Sequence, residues 1–252
     1  MTNDELESLL APDVRQRLGI YSLPEGFRAS VVIPVYNESA TLHVILERVR
    51  ASGVPCEMIL VDDASTDDTP QILERWQNEP DIVVLRHETN RGKGAALRTG
   101  FGHVSGDIVI IQDADLEYDP SQYKTLLQPI LENRADVVYG SRFLGAERSV
   151  PKFWHHTANR LITALSNLRT NLKLTDVETC YKIVRRTVLE QVAEHLRENR
   201  FGIELELTAR LARLPGIRFY ELPIRYTART YAAGKKIRLR DGFHAIWCAL
   251  RY

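Results

Sequence analysis

Short apolar runs alternate with amphipathic stretches through the first half of the chain. Residues 30–34 (SVVIP), 58–61 (MILV), 82–85 (IVVL), 107–111 (DIVII) and 136–139 (DVVY) read as buried strands. Between them, helical spacing of apolar residues predicts helices over 38–50, 68–77, 94–103 and 121–133, the last interrupted or kinked near Pro129. Strands of four to six residues alternating with helices predict an α/β protein with a mostly parallel central sheet covered by helices on both faces.

After Gly140 the rhythm changes. A loop is expected over 143–152, followed by a helix over 153–168 with Ala158, Leu161, Ile162 and Leu165 on one side. A strand at 181–184, a helix over 203–214, a strand-like run at 218–226 and an amphipathic helix over 241–252 complete the pattern. Residues 1–28 read as an appendage in which Leu6, Leu9, Leu10, Val14 and Leu18 suggest a short amphipathic helix broken near Pro12. The expected organisation is an N-terminal extension (1–28), one large α/β domain (29–240) and a C-terminal helix (241–252).

Composition narrows this picture. The chain has 252 residues, 44% hydrophobic and 26% charged, with zero formal net charge. These are the proportions of a globular protein, and the charge balance argues against nucleic acid as a partner. Cys56, Cys180 and Cys248 show no paired spacing, which predicts reduced, mostly buried thiols and a cytoplasmic location. The polar start MTNDELESLL shows no signal peptide, and no apolar run approaches a membrane span. Residues 210–252 nevertheless hold ten Lys or Arg against only Glu221 and Asp241. That asymmetry reads either as a solvated face or as a surface for phosphate groups or an anionic bilayer.

The stretch IIQDADLEYDP (110–120) carries the chemistry. It places Asp113, Asp115, Glu117 and Asp119 directly after an apolar strand. In a parallel α/β sheet, ligands bind beyond the carboxyl ends of the strands, where Glu38, Asp62 and Asp63 are also expected. Asp113 and Asp115 share a face in extended backbone, and the small Ala114 between them allows close approach of a ligand. Acids so close stay ionised only when solvated or bound to a cation, and a hard ion such as Mg²⁺ or Mn²⁺ suits oxygen ligands. The competing reading is a set of turn and cap residues, which fits Asp119-Pro120 best. NRGKG (90–94) opens a helix with two glycines and two cations; alone it reads as an ordinary basic helix start, and beside DAD as a place for phosphate, although it is no P-loop.

Five segments in this order, VIPVYNE (32–38), VDDAS (61–65), NRGKG (90–94), DAD (113–115) and GSRF (140–143), resemble glycosyltransferase family 2. The resemblance covers about residues 29–240. TDVETCYK (175–182) and RTYAAGKK (229–236) resemble the branch that contains dolichyl-phosphate mannose synthase and undecaprenyl-phosphate glucosyltransferase. The resemblance implies a GT-A fold, a nucleotide-diphospho-sugar donor and inverting transfer.

It also implies residue roles. Pro34, Tyr36, Glu38 and Asp63 would hold base and ribose, while Asp62 is either a partner in this or structural. Lys93 would lie near the phosphates. Asp113, Ala114 and Asp115 would bracket the metal and diphosphate, with Glu117, where relatives often have Gln, completing the metal shell. Arg142, Arg229, Lys235 and Lys236 would meet donor or acceptor phosphates. RTYAAGKK departs from the RxYGxSK-like pattern of the mobile phosphate loop in relatives, so the correspondence of Lys235 and Lys236 stays open. Asp176 is either a general base or a cap. His155, His156 and Asn159 are candidates to line the acceptor site. Phe143, Phe153 and Trp154 form either an apolar rim for lipid or part of the core.

Three functions compete. One is transfer of a hexose from GDP-mannose or UDP-glucose to a polyprenyl (dolichyl or undecaprenyl) phosphate, by a peripheral enzyme at the inner face of the cytoplasmic membrane. A second is transfer to a hydroxyl of a glycan, small molecule or protein, which needs a carboxylate base such as Asp176. The third is a non-catalytic nucleotide-binding subunit, against which the intact DAD argues. Nothing in the sequence fixes the oligomeric state.

Overall fold

The computed structural model describes residues 9–11, 14, 21–145, 153–229 and 239–252. Strand β1 (Ala29–Val35) leads through helix α1 (Leu42–Ala51) to β2 (Cys56–Asp62), then through α2 (Thr69–Trp76) to β3 (Ile82–Arg86). Helix α3 (Lys93–Phe101), strand β4 (Ile108–Ile111), a 3₁₀ turn (Pro120–Gln122), α4 (Tyr123–Leu131) and β5 (Val137–Ser141) follow. The second half contains α5 (Phe153–Thr170), β6 (Lys182–Arg185), α6 (Arg186–Ala193), α7 (Ile203–Ala212), β7 (Phe219–Pro223) and α8 (Leu239–Arg251).

The strands form one seven-stranded sheet in the order β3-β2-β1-β4-β6-β5-β7. Parallel pairing joins β1 to β2 and β4, β2 to β3, and β5 to β7. Only β6 runs antiparallel, against both β4 and β5. An apolar run of four residues records burial but not direction, so the reversal of β6 has no signature in sequence. Its consequence is functional. The start of β6 lies at the same sheet edge as the carboxyl ends of β1, β2, β4, β5 and β7, so residues 176–181 join the residues that follow those strands.

The central strands are buried on both faces, with Val31, Val32, Ile33, Ile59, Leu60, Val61 and Ile110 fully or almost fully covered. Apolar side chains on both pleat faces are what a helix-covered parallel sheet requires. Helix α1 begins at Leu42 rather than at 38: the amides of Asn37 and Glu38 are taken by the side chains of Ser65 and Thr69, and residues 39–41 form a turn. Helix α4 accommodates Pro129 within its last turn and ends at Leu131. Helix α6 was not foreseen. It starts directly after β6 with no Gly or Pro between them, and buries Val188, Leu189 and Val192. Strand β7 ends at Pro223, earlier than expected, and the chain then crosses to bridge Tyr226 with Tyr118.

Helix α8 packs on α5 and α7 through Ala245, Cys248 and Ala249. The cysteines are free, with Cys180 and Cys248 buried and Cys56 half-buried. No helix among the described residues is long and apolar enough to cross a membrane. Most of the N-terminal helix expected over residues 1–28 lies outside the described residues, as does 146–152 of the expected loop.

Leu60 occupies the middle of β2, which pairs with both β1 and β3, and is fully buried. Leu60→Ala should lower unfolding stability by about 2–5 kcal/mol, the cost of lost burial plus a residual cavity. Urea denaturation measures this, and a loss of less than about 1 kcal/mol would contradict the packing described.

Candidate active site

The acidic motif is held by its neighbours before it can hold anything else. Gln112 is fully buried and accepts hydrogen bonds at Oε1 from the hydroxyls of Tyr123 (2.7 Å) and Tyr181 (2.8 Å). Its amide nitrogen donates to the Asp113 carbonyl at 2.9 Å, fixing where the chain leaves β4. Leu116 then adopts φ 62°, and the Glu117 amide donates to Asp115 Oδ1 at 3.1 Å. This tight turn puts three carboxylates, those of Asp113, Asp115 and Glu117, in mutual electrostatic range.

Burial pushes the Asp115 carboxyl up to about 7, and the charges of Asp113 and Glu117 add to that shift while Arg229 opposes it. The chain supplies cations of its own. Lys93 Nζ lies 2.8 Å from Asp113 Oδ1 and 3.0 Å from Glu204 Oε1. Glu204 also pairs with the fully buried Lys182, so a chain of alternating charge runs from Asp113 into the core. The Arg229 guanidinium lies 3.1 Å from Asp115 Oδ2 and donates to both oxygens of Glu38, at 2.8 and 3.0 Å. Glu117 holds the same segment from below: Tyr226 Oη donates to it at 2.6 Å and the Arg229 amide at 2.7 Å.

A divalent cation fits the acidic pair. A raised carboxyl in a buried acidic cluster is what an added positive charge would reverse. Two carboxylates leave coordination positions for phosphate oxygens and water, the usual arrangement for Mg²⁺. Glu117, expected in the metal shell, is instead placed with both oxygens on residues 226–229.

The loop after β1 and the loop after β2 are stitched together. The Asn37 amide donates to Ser65 Oγ (2.9 Å), the Thr66 amide to Asn37 Oδ1 (2.7 Å) and the Glu38 amide to Thr69 Oγ1 (2.9 Å). Pro34 and Tyr36 are half-buried beside this seam, and Ala114 is buried. Asp62 accepts from the Ser65 amide at 2.9 Å. Asp63 is placed differently from a ribose ligand. Its oxygens take His87 Nδ1 (2.7 Å) and the amides of Arg91 (2.8 Å) and Gly92 (2.7 Å).

That corrects the reading of NRGKG as a backbone phosphate cradle. Two of its amides serve Asp63, and the Ala95 amide donates to Asn199 O at 3.1 Å. Its glycines answer a protein neighbour: a Cβ at Gly92 would lie 2.4 Å from Asn199 O, and one at Gly94 the same distance from Glu198 O. What the segment offers the acidic motif is the Lys93 side chain.

Beyond β5, Arg142 and Asp176 form a two-point ion pair, Nε to Oδ2 and Nη2 to Oδ1, both 2.7 Å. The Arg142 amide also donates to Asp176 Oδ2 at 3.1 Å, and Asp176 is fully buried. Asn159 donates to Asp176 at 3.4 Å and to Glu178 at 3.0 Å. Burial raises the Glu178 carboxyl above its ordinary range, and Asp176 and Glu204 add to that. His156 meets Phe143 edge to face at 4.9 Å. Phe153 and Trp154 are 71% and 78% exposed, so they are no part of the core. Lys235 and Lys236 lie outside the described residues.

Four contributors were not singled out from sequence. Glu204 and Lys182 left a signal, a lone charge inside an apolar helix and an apolar strand. His87 and Glu178 left none, because their partners come from distant segments.

The sheet order and the acidic strand ends define a GT-A fold. Glucosyl-3-phosphoglycerate synthase from Mycobacterium tuberculosis, solved in complex with Mn²⁺, UDP and phosphoglyceric acid, superposes with a TM-score of 0.70 at 22% identity, covering 90% of this chain and 78% of that one. S. aureus TarS in complex with UDP-GlcNAc superposes with a TM-score of 0.60 at 21% identity, covering 87% and 64%. The glycosyl transferase family 2 model matches residues 30–193, and the chain belongs to that family. An undecaprenyl-phosphate 4-deoxy-4-formamido-L-arabinose transferase of Yersinia enterocolitica is 35% identical over 169 residues, 65% of this chain and 50% of that protein. The protein of the same description from Yersinia pestis is 31% identical over 219 residues, 84% of this chain and 64% of that protein. The chain thus spans half to two thirds of the length of these relatives.

The raised Asp115 carboxyl sets a pH dependence. Between its ordinary value of 3.8 and about 7, the folded metal-free chain holds a proton that the unfolded chain releases. This group therefore makes the metal-free protein lose stability as pH rises through that window. Cation binding must displace the same proton, so Mn²⁺ affinity should fall up to about tenfold per pH unit below 7. Calorimetric titration at pH 6 and pH 8 measures this, and equal affinities would contradict the described crowding.

Proposed function

We propose that this chain is an inverting, metal-dependent glycosyltransferase that moves a hexose from GDP-mannose or UDP-glucose to a polyprenyl phosphate. The observation that carries the choice of acceptor is the Arg142–Asp176 pair. A hydroxyl acceptor needs a base, yet both oxygens of the fully buried Asp176 are taken by the part-buried Arg142 guanidinium. A lipid phosphate arrives ionised and needs no base. Asp176 on this reading is a positioning residue that orients Arg142 toward the acceptor phosphate, for which a guanidinium is well shaped. The similarity to undecaprenyl-phosphate sugar transferases supports the same acceptor class.

Asp113 and Asp115 would hold Mg²⁺ or Mn²⁺, which when bound neutralises charge developing on the leaving diphosphate. Lys93 and Arg229 flank those acids and add positive charge on the leaving-group side. The seam of residues 34–38 and 63–66 would receive base and ribose, with Asp63 shaping the site through Arg91 and Gly92. Lys235 and Lys236 would meet phosphate, and Glu117 anchors the segment that leads to them. The acceptor oxygen attacks the anomeric carbon from the face opposite the diphosphate.

We assign residues 29–240 to the catalytic domain and the contact with an anionic bilayer to α5 and α8. These helices pack on each other and expose Phe153, Trp154, Leu161 and Leu168, and Phe243, Trp247 and Leu250, beside the exposed Arg160, Arg169 and Arg251. On this reading the chain works at the cytoplasmic face of the membrane.

A second reading rests on Glu178. Its raised carboxyl, bonded to the Asn159 amide, would serve as base for a hydroxyl acceptor. The two readings separate by experiment. Detergent-solubilised polyprenyl phosphate should accelerate consumption of the correct nucleotide-sugar, and Glu178→Gln should retain most of that rate. If Glu178→Gln abolishes turnover and lipid phosphate has no effect, the acceptor is a hydroxyl. Asp115→Asn should keep the fold and lower kcat by about 10³, the scale of losing one site of charge stabilisation. Unchanged kcat in Asp115→Asn would contradict the metal role.

A further inference from the structure

Among the described residues, one group of three metal-type donors stands outside the acidic motif. It comprises Glu198, His244 and Cys248, whose ligand atoms all lie within 4.8 Å of one another. His244 and Cys248 are one helical turn apart on α8, so both side chains leave the same face. Glu198 comes from the loop between α6 and α7 and approaches that face from the protein side. His244 Nε2 lies 2.8 Å from Glu198 Oε2 and 3.4 Å from Cys248 Sγ.

Glu198 is held in place from two directions. Its amide donates to Glu206 Oε2 at 2.7 Å, and Tyr252 Oη donates to its other oxygen, Oε1, at 2.9 Å. Oε2 is thereby turned toward His244 and Cys248. Gly202 leaves the pocket open from below: a Cβ there would lie 2.6 Å from Cys248 Sγ and 2.8 Å from Glu198 Oε2. Cys248 is fully buried and Glu198 nearly so, while the His244 side chain is 40% exposed and gives the pocket its entrance. Its ring stacks on Trp247 at 5.4 Å, which fixes the ring plane.

We propose that Glu198, His244 and Cys248 form a Zn²⁺ site, with water as the fourth ligand. Imidazole, thiolate and carboxylate together are the ligand set of zinc rather than of the hard ions expected at Asp113 and Asp115. Tetrahedral bond lengths of about 2.0 Å to N or O and 2.3 Å to S place ligand atoms roughly 3.3–3.6 Å apart. The His–Cys side, at 3.4 Å, already fits, the His–Glu side must open from 2.8 Å by about half an ångström, and the Glu–Cys side lies within 4.8 Å. On binding, the Cys248 proton leaves to solvent and the thiolate becomes the ligand.

The site would act as a clamp. Residues 198–200 abut Gly92 and Gly94, and Asn199 O receives the Ala95 amide, so the Glu198 loop is the backing of the segment that carries Lys93. A cation joining α8 to Glu198 therefore ties this helix to the support of Lys93. The inference is independent of the donor and acceptor assigned above.

Co²⁺ added to the purified full chain is the test, because cobalt reports its own ligands. The expected result is about one equivalent bound in tetrahedral form, read from its visible bands and a near-ultraviolet thiolate charge-transfer band, both displaced by Zn²⁺ and distinct from any cation held by oxygen ligands alone at Asp113 and Asp115. Cys248→Ser should remove the thiolate band, His244→Gln should weaken binding at least tenfold, and Asp115→Asn should leave both unchanged. His244→Gln changes a half-exposed residue, so its fold, checked by urea midpoint, keeps the test valid if Cys248→Ser proves unstable. A spectrum without a thiolate band in the wild type, a thiolate band that survives Cys248→Ser, or equal affinity in His244→Gln would overturn the proposal.

Discussion

The Arg229 guanidinium, held between Glu38 and Asp115, is the interaction on which the candidate site depends. Buried acids at the ends of β1 and β4 repel one another, and a folded chain tolerates them only with compensating positive charge. Arg229 supplies that charge on one side and Lys93 on the other. Both are tethered in turn: Arg229 through the grip of Glu117 on its amide, Lys93 through Glu204 and Lys182. The site is thus a balanced lattice of charges in which each acid already has a partner.

A lattice of that kind is suited to exchange. On the proposed function, a divalent cation with a diphosphate would bring positive charge for Asp113 and Asp115 and negative charge for Lys93 and Arg229. Each ion pair within the protein would be replaced by one with the ligand, so the net cost in unpaired buried charge would be small. The Arg142–Asp176 pair is different in kind. It is bidentate, fully buried on the acid side and reinforced by a backbone amide, which makes it a fixed feature of the candidate site rather than an exchangeable one.

Much of this was legible in the sequence, and the reasons are specific. The strands β1, β2 and β4 announce themselves because burial on both faces forces unbroken apolar runs. The acids after them stand out because a carboxylate next to such a run needs a reason. The resemblance of five short segments to one family then gave roles to Lys93 and Arg142, and that of RTYAAGKK to one branch gave a role to Arg229. What sequence hid was partnership. Nothing near Asp63 reveals that its oxygens are spent on His87, Arg91 and Gly92, and nothing near Gly92 and Gly94 reveals that they face the backbone of residues 198–200. The glycines therefore read as a phosphate cradle, when they are required by close packing of the protein on itself. The direction of β6 was hidden for a similar reason, since a strand records its burial and not its neighbours.

Anomalous diffraction from crystals grown with Mn²⁺ and UDP or GDP tests the central claim most directly. A manganese peak between the carboxylates of Asp113 and Asp115, with Arg229 drawn off Asp115 onto the diphosphate, is the result this account predicts. A nucleotide diphosphate bound with no manganese at those acids, and with the Arg229–Asp115 pair intact, would contradict it.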